Sequence, residues 1–382
     1  MTPQTPRVDP PDPGRVREIL VIKFKHIGDV LLATPVLTAL RRRHPAARIT
    51  ALVSCDTAPI LENNPDLDRL WCLPRRARLW AARDIYLRLL TGRFDVVVDL
   101  SGGGDRGAIC SGLTRAPWRY GVRKSDPAQS GNWLIRWGYN RLSPHPPFDR
   151  HTVLRDLWVV RDLLGDPGAV SLVLHAHPDA AQRARVALQQ AGLAPGQRYI
   201  VVHPTSRWMF KCLPPATLAQ VVQTLAQRGV ATPVLTCGPA DVERQYLRQV
   251  IDRMTIPALQ LPGVLALGDV VALLAGSTGF LGVDTAPAHM AAALDVPAVV
   301  LFGPSDPRLW GPWSNGTIPG KPSLSRHHVV SLGLPCQPCP DAGCHNSRVS
   351  RCLVEMSADS IIHTLEGAGW LRAAADPAKE PS

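Results

Sequence analysis

Short apolar, β-branched runs that each give way to a helical apolar pattern recur along this chain, and that alternation leaves few folds open. Arg17–Phe24 (REILVIKF), Arg48–Val53 and Phe94–Leu100 lie in the first half. Tyr199–His203, Val230–Thr236, Gly279–Val283 and Val296–Phe302 lie in the second, between helical patterns at Ala216–Arg228, Ala240–Arg253 and Asp269–Ala275. Runs without polar alternation are buried on both faces, as in a parallel sheet between two layers of helices. Gly165-Asp166-Pro167-Gly168 interrupts the rhythm after a helix over Asp149–Leu164, a short strand runs to Leu174, and a helix over Pro178–Ala191 bridges to the second series. A chain of 382 residues exceeds what one core organises. The expected fold class is therefore α/β, with two doubly wound, Rossmann-like domains over 15–175 and 176–356, a closing helix at 357–372, and disordered ends at 1–14 and 373–382. Open α/β sheets bind ligands outside the carboxyl ends of their strands, so two such domains are expected to face a central cleft.

The stretch Gly282-Val283-Asp284-Thr285-Ala286-Pro287-Ala288-His289 hands a strand over to a small-residue helix through a polar turn. Amides at such a helix N-terminus carry partial positive charge and accept phosphate. His289, one turn inside, can add a donor. The same residues also suit a plain helix start, with Asp284 as cap and His289 as a satisfied core histidine.

The formal net charge of +11 points to an acidic partner. Met1–Gly14 is rich in proline and lacks the apolar core of a signal peptide, so export is not expected. The longest apolar stretch is broken by Asp284, His289 and Asp295, which excludes a membrane span and limits membrane contact to the periphery. Nine cysteines comprise five scattered ones, Cys55, Cys72, Cys110, Cys212 and Cys237, read as reduced core or surface thiols, and a cluster. In the cluster, Cys336, Cys339, Cys344 and Cys352 are spaced C-x2-C-x4-C-x7-C. The first pair suits zinc, with reduced thiols or a loop disulfide as alternatives.

Three motifs in order, ILVIKFKHIGDVLLATPVLTALRRRHP, HPTSRWMFKCLPP and FLGVDTAPAHMAAALDVPAVVLFGPSDPRLWGPW, resemble the ADP-heptose lipopolysaccharide heptosyltransferases, glycosyltransferase family 9. The likeness runs from about Arg17 to about Arg372. TSRWMFKC and Ser347-Arg348-Val349-Ser350 before Cys352 look most like the branch that adds the third core heptose. The resemblance implies a GT-B fold, with acceptor held by the N-terminal half and nucleotide sugar by the C-terminal half. It also implies inverting transfer from ADP-heptose to a lipopolysaccharide core, at the cytoplasmic face of the inner membrane. Inverting displacement needs a base and a means of stabilising the departing diphosphate.

By that resemblance Asp29 is the base; read alone, it also suits an N-cap for a helix beginning at Val30. Lys211 matches a lysine that reaches the donor phosphates, with Arg207 as its substitute, and Thr205 and Ser206 match the preceding hydroxyl pair. Asp284, Thr285, Ala286 and His289 match the diphosphate and sugar loop, where Pro287 removes one amide donor. Leu265 falls where the family packs the adenine, or is a core leucine. Asp241 or Glu243 holds the ribose hydroxyls.

Arg75, Arg76, Arg78, Arg83 and Arg88 interleave with Trp71 and Trp80, and Trp133-Leu134-Ile135-Arg136-Trp137 is a second basic, aromatic segment. Both suit an anionic glycolipid surface, or solvated helices with half-buried tryptophans. A nucleic-acid partner has no motif to support it. Other readings keep the fold but change the sugar or glycan acceptor, or bind without catalysis. No organic cofactor and no obligatory divalent ion are expected, since helix amides and Lys211 supply the neutralising charge.

Overall fold

The computed structural model describes residues 10–76, 82–123, 132–147, 149–261, 265–319 and 325–372. The ends expected to be disordered fall largely outside them, as do Arg78 and Trp80. The chain forms two compact units, Met1–Val173 with Gly316–Lys321, and Leu174–Asn315 with Pro322–Ser382.

In the first unit the elements are β1 (Glu18–Lys23), α1 (Ile27–Leu32), α2 (Thr34–Arg43), β2 (Arg48–Ser54), β3 (Arg69–Leu73), α3 (Arg83–Thr91), β4 (Val96–Asp99), α4 (Asp105–Leu113), β5 (Trp118–Val122), α5 (Trp133–Gly138), β6 (Arg141–Ser143), α6 (Thr152–Val159) and α7 (Arg161–Leu164). Six parallel strands lie in the order β3-β2-β1-β4-β5-β6. The central strands are the most apolar: Ile19, Leu20, Ile22, Val96, Val97 and Val98 are fully enclosed. Helices on both faces of a parallel sheet require such strands.

Two expectations need correction here. The helix expected over 149–164 is two helices, because Val160 leaves the helical region at φ −114°, ψ 14°. The stretch to Leu174 is not a strand: Val170 alone pairs, antiparallel with Thr317. The amide of Gly316 donates to Ser171 Oγ at 2.9 Å, and these contacts join Gly316–Lys321 to the first unit.

The second unit holds α8 (Pro178–Gln190), β7 (Tyr199–His203), α9 (Pro215–Arg228), β8 (Thr232–Leu235), α10 (Asp241–Ile251), β9 (Leu259–Gln260), α11 (Leu267–Ala275), β10 (Gly279–Val283), α12 (Ala286–Ala293), β11 (Ala298–Leu301), α13 (Pro307–Trp310), β12 (His327–Val330), α14 (Arg351–Val354) and α15 (Ala358–Gly367). Its sheet, also parallel, runs β12-β11-β10-β7-β8-β9. Counted from β7, this is the same winding as in the first unit. Leu218, Val221, Val222 and Leu225 of α9 and Ile361 and Leu365 of α15 enter one core with the strands.

The order in which successive strands are laid down reverses between β1 and β4 in the first sheet and between β7 and β10 in the second. Those two switch points are where an open α/β sheet leaves a crevice. Among the described residues no helix is long and apolar enough to cross a membrane.

The cysteines depart from expectation. Cys55 and Cys72, read as isolated reduced thiols, form a disulfide. Pairing of β2 with β3 brings their Cα atoms to 4.7 Å. Cys336, Cys339, Cys344 and Cys352 carry free thiols. Among the described residues, no three or more His, Cys, Asp or Glu side chains come together in a metal-binding arrangement, so the zinc expectation is not carried forward. Burial, reinforced by the neighbouring thiols, pushes the Cys352 thiol up to about 11.

Candidate active site

At the first switch point β1 ends and the chain turns through Phe24, Lys25 and His26 into α1. The helix starts at Ile27, two residues before Asp29. Asp29 is therefore not the N-cap suggested by sequence. It stands at the third helical position, and its Oδ2 accepts the His26 amide at 3.2 Å. That bond is half of a capping box and fixes the carboxylate against the turn. Oδ1 accepts no hydrogen bond among the described residues, so one oxygen remains to receive a proton.

Cations gather around this turn. Arg75 is paired with Asp56 at 2.8 Å and donates to the Lys25 carbonyl at 2.6 Å. Arg106 of α4 donates to the Pro74 carbonyl at 2.6 Å and stacks on Phe24, 4.5 Å from the ring centre. From β4, Ser101 Oγ accepts the Phe24 amide at 2.8 Å. Gly102, at φ +81°, supplies a left-handed turn beside Lys25, whose Nζ would lie 3.8 Å from a β-carbon there. Lys25, Arg75 and Arg106 make this end of the sheet a place for an anionic group. Of the three, sequence reading pointed to Lys25, in the polar turn that ends at Asp29, and Arg75, and missed Arg106.

At the second switch point β7 delivers His203 and then Thr205 and Ser206, which are 0% and 4% exposed. Thr205 does not present its hydroxyl outward. It donates to Glu243 Oε2 at 2.7 Å, and the Gly238 amide donates to the same oxygen at 3.0 Å. A β-carbon at Gly238 would lie 2.3 Å from that oxygen, so only glycine lets Glu243 come this close. Asp241 is the other ribose candidate. It is 95% exposed and paired with Arg244, whereas Glu243 is 5% exposed and tied to Thr205. Ser206 Oγ accepts the Trp208 amide at 3.2 Å, which leaves its own proton to donate.

Lys211 ends a 3-10 turn, Met209–Lys211, and reaches the adjacent strand end, where its Nζ is 2.7 Å from Asp284 Oδ2. Arg207 points elsewhere, over the Trp208 ring at 5.6 Å. Asp284 is not the helix cap: Thr285 is, and its hydroxyl donates back to Val283 at 3.3 Å rather than capping. In the first turn of α12 Pro287 has no N–H and the Ala288 amide donates to the Thr285 carbonyl at 3.0 Å, so the Ala286 amide carries the positive end of the helix. Ala286 is half-buried at the first helical position, and His289 is 4% exposed inside the helix. Pairing of Gly282 with His203 sets Asp284 and Thr285 beside Thr205 and Ser206.

Thr205 is thus joined to Glu243 and Lys211 to Asp284, with Ser206, Thr285 and Ala286 in the turns that follow the paired strands β7 and β10, while His289 lies buried within α12. Asp241 stands apart on the surface of α10, and Leu265 is half-buried just before α11. His203 was missed by sequence reading. It lies wholly inside, with Nδ1 2.9 Å from Thr236 Oγ1, and burial pushes its pKa down to about 4.

The basic, aromatic segments separate into two kinds. Trp71 packs edge-on against Phe94 at 5.9 Å, with Arg88 over its face, and so belongs to the core margin. Trp133 is 71% exposed and Trp137 43%, on α5. Leu87 and Leu90 of α3 are each 45% exposed, and α3 and α5 both pack on α4.

The model of glycosyltransferase family 9 (heptosyltransferase) matches residues 83–349. A lipopolysaccharide heptosyltransferase 3 from Escherichia coli is 31% identical over 299 residues, 76% of this chain and 85% of the relative. The crystal structure of a family 9 glycosyl transferase from Veillonella parvula superposes with a TM-score of 0.75 at 20% identity, covering 92% of this chain and 97% of that one. An E. coli heptosyltransferase solved with ADP gives 0.66 at 21% identity, covering 92% and 99%. These solved structures share the GT-B fold of two Rossmann-like units. From the family match and the E. coli relative together, the chain belongs to glycosyltransferase family 9, the heptosyltransferases.

Proposed function

We propose that this glycosyltransferase moves heptose from ADP-L-glycero-β-D-manno-heptose to the lipopolysaccharide inner core with inversion, acting most like the enzymes that add the third core heptose. The observation that carries the donor side is the Lys211–Asp284 pair beside the start of α12. Asp284 holds the lysine side chain at the strand ends. A diphosphate arriving there meets an ammonium and the positive end of a helix together. The E. coli relative crystallised with ADP supports the choice of nucleotide.

In the reaction an acceptor hydroxyl attacks the anomeric carbon. The carbon–oxygen bond to the diphosphate breaks, and ADP leaves with the bonding electrons. Asp29 takes the hydroxyl proton as the new bond forms. Lys211 and the start of α12 stabilise the charge that builds on the leaving phosphate. Ser206 and His289 supply further donors, while Glu243, held by Thr205 and Gly238, borders the crevice on the ribose side. Leu265 contributes an apolar contact for the adenine. Lys25, Arg75 and Arg106 around the Asp29 turn suit the acidic sugars and phosphates of an inner core.

The exposed Trp133, Trp137, Leu87 and Leu90, with Arg83, Arg88 and Arg136 among them, suit peripheral attachment to an anionic membrane at its cytoplasmic face. Sedimentation with vesicles containing phosphatidylglycerol, but not with neutral vesicles, is expected, and loss on Trp133→Ala/Trp137→Ala tests it.

The function is tested by offering purified protein ADP-heptose, ADP-glucose, UDP-glucose and GDP-mannose with heptose-deficient core oligosaccharide. A mass gain of one heptose from ADP-heptose alone is expected. Preferential transfer from another nucleotide sugar contradicts the reading.

A further inference from the structure

The turn that leads to Asp29 consists of Phe24, Lys25 and His26, between the end of β1 and the start of α1. Neighbouring segments tie it from outside. Arg75 donates to the Lys25 carbonyl at 2.6 Å, and Ser101 Oγ accepts the Phe24 amide at 2.8 Å. Ser101 stands just past β4 and is 8% exposed. Its amide donates to Asp99 Oδ1 at 2.8 Å, and its side chain hydrogen-bonds the same carboxyl group. Because the serine oxygen takes the Phe24 amide on a lone pair, its own proton is the one that turns to Asp99. Asp99 is fully enclosed, and its Oδ2 accepts the Tyr139 hydroxyl. On α4, a β-carbon at Gly107 would collide with Oδ2, so only glycine admits the carboxyl group there.

An enclosed carboxyl group is costly to keep, and apolar side chains fill such a space without that cost. What Asp99 adds is direction. A serine hydroxyl otherwise rotates, but one whose proton and backbone amide share a fixed acceptor keeps its lone pair facing one donor, here the Phe24 amide. Two residues further on, the His26 amide holds Asp29 Oδ2 at 3.2 Å. We propose that Ser101, fixed by Asp99 and Tyr139, is a positioning residue for the transfer: it holds the turn so that the His26 amide keeps the Asp29 carboxylate in place for the acceptor hydroxyl. Ser101 acts through the backbone of the turn and not on the substrate. Gly102 and Gly103, at φ +81° and +74°, let the chain bend away directly after Ser101 and leave its hydroxyl beside the turn.

The inference rests on Asp29 as base, and a double-mutant cycle separates the two claims. Single-turnover transfer and ADP affinity are measured for the full-length protein, Ser101→Ala, Asp29→Asn and the double variant Ser101→Ala/Asp29→Asn. Ser101→Ala is expected to slow transfer by about tenfold, since a small misplacement of a reacting group costs this much or more. ADP affinity stays within about twofold, because no residue of the second unit is changed. In the Asp29→Asn background no base is left to aim, and the same serine change is expected to slow transfer by less than about twofold. A purely structural serine slows both backgrounds by the same factor. Equal factors, or Ser101→Ala at the wild-type rate, overturn the proposal. If Ser101→Ala does not fold, Tyr139→Phe, which removes the opposite donor to Asp99, carries the same cycle with an expected loss of about threefold. Equal factors in both backgrounds, or no loss, then overturn it. Asp29→Asn that transfers at the wild-type rate refutes the base assignment instead, and the role of Ser101 falls with it.

Discussion

Lys211 Nζ stands 2.7 Å from Asp284 Oδ2, so the turn after β7 is tied by charge to the end of β10 across the switch point of the second sheet. The pair leaves the crevice neither strongly positive nor negative before the donor arrives. Lys211→Met removes the ammonium and strands a carboxylate that is 8% exposed beside the phosphate site. ADP affinity is expected to fall by about tenfold to a hundredfold, read by calorimetry. Arg207→Met, whose side chain lies over Trp208 instead, is expected to change it by no more than about twofold. A larger loss from Arg207→Met than from Lys211→Met assigns the phosphate contact to the wrong residue.

Glu243 gathers the Thr205 hydroxyl and the Gly238 amide on one oxygen. Glu243→Gln keeps the shape and loses the charge that holds them. Unfolding free energy in urea is expected to drop by about 1 to 3 kcal/mol, with weaker ADP binding. Asp241→Asn, on an exposed side chain, is expected to leave stability and ADP binding within error. Equal effects from the two contradict the separation of their roles.

His203 is buried neutral, with its pKa pushed from 6.5 down to about 4. A depressed folded value means the stabilising contribution is complete above the unfolded value of about 6.5 and is lost as pH falls toward 4. Burial acts in the same direction on His44 and His327. Midpoint denaturant concentration is expected to decline between pH 6.5 and 4, and His203→Gln to flatten that decline. An unchanged slope in the variant removes His203 as its source.

In the proposed reaction Lys211 and the start of α12 take the place of the divalent ion that other transferases use. Transfer is therefore expected to persist in EDTA at an undiminished initial rate. Loss of activity restored by magnesium or manganese contradicts this division of labour.

Cys55 and Cys72 are joined, and seven further cysteines are free. Thiol titration of the unfolded, unreduced protein is expected to return seven groups, and nine only after reduction. Nine without reductant contradicts the bond.

Much of this was legible in the chain, for reasons that lie in particular strands. β1, β7 and β10 are buried on both faces and read as apolar runs, so the strands were legible from the pattern, whereas the roles of Asp29, Thr205, Ser206 and Lys211 came from the family resemblance. β3 (RLWCL), β6 (RLS) and β12 (HHVV) lie toward sheet edges, where partial cover admits polar residues and blurs the pattern. The start of α1 was read three residues late because the bond from the His26 amide to the Asp29 carboxylate, not the helical periodicity, marks it. Thr205 with Glu243 and Lys211 with Asp284 are separated by 38 and 73 residues, so sequence proximity signals neither partnership.

In the proposed reaction the acceptor's proton goes to the carboxylate of Asp29, which the His26 amide holds at the first switch point. Asp29→Asn preserves shape and the capping bond but cannot accept the proton. Single-turnover transfer from ADP-heptose is expected to slow by about a hundredfold to ten-thousandfold, with donor affinity within about twofold of wild type. Transfer at the wild-type rate in the folded variant contradicts the account.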